Sequence, residues 1–243
     1  MIRSIPLAAV LLVCAASAIA KPNQNTAAGF KPPSGNYKVI VMRPDIAASM
    51  LTAGGGLEPR EDWTNQAREH VLDALRAQQE MRGGQATITV TAGDDPALRD
   101  LMRLHEVVGQ SILIHKYQPM QQLPTKNGAL DWTLGKLATD FGKSAGYDYA
   151  LFVFARDSFS SGGRVALQGI GMLGCIVGAC ILPQGGSQQA FASLVDLKTG
   201  NVVWFNFVAS ATGDIRTEAG AADLVNRLLE PMNDQPKAKK KKA

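Results

Sequence analysis

The sequence predicts an α/β (α+β) fold. We expect one three-layer domain, with a mixed sheet of about five strands, about four flanking helices, a C-terminal β-hairpin and a Gly-rich apolar insert. Three observations predict it. Within a hairpin of Gln188–Asp196 and Val202–Val208, Ala190–Val195 and Val202–Val208 are rich in Val, Phe, Trp, Leu and Ala, residues that suit a packed pleated surface. Between them lies Asp196-Leu197-Lys198-Thr199-Gly200-Asn201, where Gly200 and Asn201 tolerate positive φ, so the chain reverses with little strain. Second, Tyr149–Phe154 and the second hairpin strand are apolar on both faces, which marks strands covered from both sides. Third, strand-like and helix-like apolar periods alternate through the upstream half.

Each element follows from its pattern. Tyr37–Met42 reads as the first strand, stopped by Arg43-Pro44. Ala47–Leu57 holds Gly54-Gly55-Gly56 and reads as a mobile loop. Glu61-Asp62-Trp63 opens a helix to about Met81, with Trp63, Ala67, Val71, Ala74, Leu75 and Ala77 on its apolar side and Gly83-Gly84 as its end. Thr87–Thr91 alternates as a second strand. Asp95 is placed as N-cap and Pro96 at the first turn of a helix to about Lys116, with Leu98, Leu101, Met102, Val107, Val108, Ile112 and Leu113 as its stripe. Gln118–Gly128 is a polar loop. Asp131 is expected to cap a third helix that turns Trp132, Leu134, Leu137, Ala138 and Phe141 inward. A strand follows at Asp148–Arg156. In the second hairpin strand Val202, Trp204, Asn206 and Val208 are expected on one face, and Val203, Phe205, Phe207 and Ala209 on the other. Trp204 and Phe205 read as core rather than as a ligand platform. Asp214–Arg216 begins a last helix, with Ala221, Ala222, Leu224, Val225, Leu228 and Leu229 as its apolar side and Pro231 as its end.

The domain boundaries follow from composition. Arg3, the apolar run Ile5–Val13 and the small-residue end Ala15–Ala20 read as a signal peptide over residues 1–20, cut after Ala20. A lipoprotein reading competes at Cys14, although Val13 stands where a small residue is wanted. Residues 21–36 form a polar linker, 37–232 the α/β domain with the insert at 162–187, and 233–243 a disordered, lysine-rich tail. The formal net charge of +4 misleads. Setting aside Arg3 and five tail lysines leaves 19 basic residues against 21 acidic ones. The basicity belongs to the tail and not to a folded face, so nucleic acid is not expected as a partner.

The chemistry-bearing patterns fail on context. Gly54-Gly55-Gly56 lacks the Lys-Ser or Lys-Thr of a phosphate loop. Gly169-Ile170-Gly171-Met172-Leu173-Gly174 matches a dinucleotide fingerprint, but a hairpin follows it where a βαβ unit is required. Gly142-Lys143-Ser144-Ala145-Gly146 matches a nucleophile elbow with helix and strand in the wrong order; both glycines read as helix stops. His70, His105 and His115 share no ligand geometry. No catalytic residue, metal ligand or cofactor is assigned, and the chain is read as not an enzyme. Cys175 and Cys180 are the disulfide candidate, bridgeable across a tight turn but not along a straight helix; the alternative is two buried thiols. Val165–Leu182 contains one polar residue, Gln168, and its Gly171, Gly174 and Gly178 allow close approach of another segment. Three readings fit it: a loop buried on the domain, an oligomer interface, or a lipid contact of marginal spanning length. Lys239, Lys240, Lys241 and Lys242 read either as a solvated end or as an electrostatic contact to anionic membrane or polysaccharide.

The run Ala192-Ser193-Leu194-Val195-Asp196-Leu197-Lys198-Thr199-Gly200-Asn201-Val202-Val203-Trp204 resembles a hairpin of bacterial envelope proteins. These include the N-terminal domain of the Tol translocation protein and curli-secretion and surface lipoproteins of unknown function. The resemblance implies an exported, periplasmic or envelope-associated protein that is non-enzymatic, acts through contacts with envelope proteins and self-associates as a homo-oligomer. The alternative is a membrane-interacting component of an envelope transport or secretion assembly that uses the apolar insert.

Overall fold

The structure, a computed structural model, describes residues 25–31, 37–81, 86–88, 95–168, 186–210 and 213–230. Its elements are β1 (Val39–Val41), β2 (Asp45–Leu51), β3 (Leu57–Pro59), α1 (Glu61–Met81), β4 (Ala86–Ile88), α2 (Pro96–Ile112), α3 (Gly135–Ala145), β5 (Tyr149–Ser160), α4 (residues 162–168), β6 (Gln188–Asp196), β7 (Val202–Ser210) and α5 (Glu218–Leu229). The fold is α/β. A mixed sheet is covered by α1 and α5 on one face and by α2 and α3 on the other.

The described residues form seven strands in five positions, with β5 in the middle. On one edge of β5, β1 pairs with Tyr149–Leu151 and β2 with Phe154–Ser160, both parallel, so β1 and β2 lie end to end. β4 flanks β1 in parallel and β3 flanks β2 antiparallel. On the other edge β6 and β7 follow as an antiparallel hairpin. Arg43-Pro44 thus interrupts an edge without ending it. Pro44 has no N–H to donate, so pairing lapses and then resumes. Residues 47–57, expected as a mobile loop, are strand, turn and strand. Ile46 and Ala48 are buried, and the Thr64 hydroxyl of α1 accepts from the Ala48 amide at 3.0 Å. Small residues here let α1 approach the sheet, and their smallness hid the period of two.

Other expectations needed correction. Val107 is exposed, and the buried stripe of α2 runs Leu98, Leu101, His105, Gly109 and Ile112. Gly109 is there because a Cβ would overlap the Phe191 ring of β6. Asp131 does not cap α3; it is exposed and paired with Lys126. Residues 132–134 instead run along the start of β7, with Val202 N donating to Trp132 O and Leu134 N to Gly200 O, so α3 begins only at Gly135 and Leu137 faces solvent. Gly142 lies inside α3, pressed against Leu197, while Gly146 alone terminates it with φ +72°. α5 begins at Glu218 behind the N-cap Thr217, because Asp214–Arg216 is used in a turn.

The faces of β7 also depart from strict alternation. Leu194 pairs with Trp204 but Val195 pairs with Val202, which makes Val203 an extra residue. This bulge turns Val202 to the α2–α3 side with Phe205, while Trp204 and Val208 pack under α1 and α5. Trp204 and Phe205 are both core, as expected. Asn206, polar between them, caps α5: its amide donates to Arg227 O and Leu228 O at 3.1 and 2.8 Å.

Candidate functional site

Two buried polar pairs draw a side chain from β6. In the first, His105 Nε2 lies 2.5 Å from Ser193 Oγ. The imidazole stacks on Phe152 at 4.3 Å between ring centroids and leans on Phe191. A Ser–His pair invites a nucleophile–base reading. Burial argues against it, because His105 is 4% exposed and Ser193 1%. Burial also pushes the imidazole pKa down to about 3, so it stays neutral. The pair is a core contact that satisfies two polar groups.

The second lies where β5 ends and β6 begins. A pocket of about 260 Å³ opens there, lined by Asp157–Ser160, Gly186, Ser187, Gln188, Gly213 and Arg216. Asp157, 4% exposed, accepts from Gln188 Nε2 at 3.0 Å. Burial, reinforced by the nearby Asp214 carboxylate, pushes its pKa up to about 6. Arg216 grips Asp214 through Nε and Nη2, each at 2.8 Å. Its guanidinium lies over Phe159 at 3.6 Å and over Trp63 at 4.4 Å, and those two rings meet edge to face. Arg60 stacks on Trp63 as well, at 4.4 Å. Gly186 is required because a Cβ would strike the Ser158 carbonyl.

Sequence reasoning missed this site. The signal was a charged pair, Arg156-Asp157, inside a strand otherwise apolar from Tyr149, followed later by the alternation Asp214-Ile215-Arg216. The residues it did single out fall elsewhere. Cys175, Cys180, Gly171, Gly174, Gly178, Lys239, Lys240, Lys241 and Lys242 lie outside the described residues, as do the proposed signal peptide and the tail. The glycines at 54–56 form the β2–β3 turn, where Gly56 N already donates to Thr52 Oγ1 and Gly55 N to Thr52 O. Ser144 donates back to Phe141 O inside α3. His70, His105 and His115 stand apart, and the described residues hold no cluster of three metal-ligating groups. Nor, among those residues, is any helix long and apolar enough to cross a membrane.

No protein-family profile matches the sequence, and no curated protein does. Among solved structures the chain is similar to the PelC dodecamer from Paraburkholderia phytofirmans, at 14% identity and TM-score 0.37, covering 83% of this chain and 93% of that one. It is also similar to the LpoB C-terminal domain from Salmonella enterica, at 15% identity and TM-score 0.28 over 76% and 87% of the two chains. A third likeness is to lipoprotein GNA1162 from Neisseria meningitidis, at 11% identity and TM-score 0.32 over 81% and 97%. Likeness this distant carries no residue role and no activity across to this chain.

Proposed function

We propose that this chain is an exported, non-enzymatic protein of the bacterial envelope that works by protein–protein contact, with self-association at the end of the sheet where β5 gives way to α4. One observation carries the reading. Leu57, at the start of edge strand β3, is 61% exposed, and Val165 and Leu167 of α4 are 54% and 41% exposed. They stand at one end of the molecule: Leu57 pairs with Leu51, Leu51 pairs with Ser160, and Arg164 Nη1 donates to Thr52 O. The uncharged sequence 169–185 follows α4 in the chain. Apolar side chains gathered in this way favour a partner surface over water. The hairpin resemblance and the signal-like N-terminal sequence support the envelope assignment. Gly171, Gly174 and Gly178 then serve close packing between copies, and Lys239–Lys242 serve attraction to an anionic surface.

The test is sedimentation of the purified full chain across a concentration series, beside Leu57→Asp and Val165→Asp. Both sites are exposed, so the variants are expected to fold. The wild type should sediment as an assembly and the variants should shift toward single protomers. A wild-type chain that stays monomeric at every concentration would overturn self-association. Retention of that monomer by lipid vesicles would instead support the membrane-contact alternative.

A further inference from the structure

The junction at the pocket joins three segments through one carboxylate. Asp157 and Gln188 are the last register pair between β5 and β6. Beyond them Ser158 N donates to Ser187 O at 3.0 Å, and Ser187 N donates to Ser158 Oγ at 2.9 Å. The third segment is the turn before α5, which lines the same pocket through Gly213 and Arg216 and sets the Asp214 carboxylate near Asp157. Gly213 holds φ +128° against the Gln188 amide, a conformation that brings this turn close. The carboxylate is buried, yet it lines the pocket, so a proton can reach it without unfolding of the domain.

We propose that the Asp157 junction is a proton-sensitive clasp: with Asp157 protonated, the 213–216 turn and the start of β6 close tightly on the end of β5, and with Asp157 ionised the junction opens more often. The groups that face it are few. Asp214, on the turn, has the same charge and opposes ionisation. Arg216, on the same turn, favours it but is shared with Asp214 and held between Phe159 and Trp63. β6 offers Gln188, uncharged, whose amide donates to the carboxylate and favours its ionised form, an effect smaller than the cost of burying the charge. Behind Trp63, Arg60, just before α1, and Asp62 of its first turn pair with each other at 2.8 Å. The balance leaves a buried carboxylate that binds its proton more tightly in the closed junction than in water, where an aspartate titrates near 3.8. A folded-state pKa raised to about 6 therefore adds stability that is complete below about 3.8 and is lost as pH rises through about 6.

The experiment is amide hydrogen exchange of the full chain at about pH 5 and about pH 7.5, with each rate divided by its intrinsic rate at that pH. Protection at Ser158 and Ser187 should be about tenfold lower at the higher pH, from the two proton affinities above. Asp157→Asn should abolish that difference and keep the protection. Equal protection of the wild type at both pH values overturns the clasp, and so does a tenfold difference that persists in Asp157→Asn. If that variant fails to fold, carboxyl-carbon NMR of the wild type decides. A midpoint for Asp157 near 6, tracked by the Ser187 amide, supports the proposal; a midpoint near 4 overturns it.

Discussion

His105–Ser193 and Asp157–Gln188 are both buried polar pairs to β6, yet they respond to acid in opposite directions. The first is walled in by Phe152, Phe191 and the close-packed Gly109, and its ionisable member rests uncharged. The second sits beside a pocket, and its ionisable member changes charge near pH 6. Burial acts on both by disfavouring the charged form, which lowers a base and raises an acid. The same force thus builds a fixed contact in one place and a titrating one in the other.

The largest expected effect comes from separating the two pH slopes. His105 is depressed to about 3 in the folded chain, so its contribution is present above about 6.5 and lost as pH falls toward about 3. Each pH unit in that range removes about 1.4 kcal/mol. Asp157 is raised to about 6, so over the range from about 6 down to about 3.8 acid adds stability at a similar rate. Near pH 5 the two slopes nearly cancel in the wild type. Urea unfolding across about pH 6 to about pH 4.5 should therefore show Asp157→Asn losing stability on acidification and His105→Gln gaining it. Asp148 and Asp214 have depressed pKa values and add their own losses only at lower pH. Two parallel profiles would show that one of the two side chains is not buried as described.

The next effects sharpen the sealed side of the comparison. Ser193→Ala leaves His105 Nε2 without its partner and should cost about 1–3 kcal/mol. Adding His105→Leu should recover much of that loss, because an apolar pair needs no partner. The coupling is read from a double-mutant cycle in urea. Gly109→Ala should cost about 1–3 kcal/mol through overlap with Phe191, and a thermal melt would register it. On the open side, Arg216→Ala removes the grip on Asp214 and the stacking on Phe159 and Trp63. The side chain is one-quarter exposed, so about 1 kcal/mol is expected.

The sequence made the hairpin, the two-sided centre of the sheet and the alternation of layers legible, because each depends on apolar periodicity. It hid whatever depends on size or on pairing across long separations. β2 was missed because Ala47 and Ala48 carry too little side chain to mark a face. The α2 stripe was misplaced at Val107 because the buried positions are taken by His105 and Gly109, which do not read as apolar. The bulge at Val203 turned one residue of a correct strand to the other side. Asp157, Gln188 and Arg216 were invisible as a site because they come from segments separated by tens of residues, and no local spacing links them.

The smallest prediction tests whether the junction's pH response belongs to Asp157 or to the turn as a whole. Thr217 Oγ1 donates to Asp214 O and accepts from Gly220 N, so it both closes the turn and caps α5. Thr217→Ala should cost about 1 kcal/mol, as loss of a helix N-cap does. Threonine does not titrate, so the loss should be equal at about pH 5 and about pH 7.5, and the difference in exchange between the two pH values at Ser187 should survive. A loss that grows toward one pH would mean that the cap sets the proton affinity of Asp157 by holding Asp214 in place, and the junction would then be a single unit running from β5 into α5.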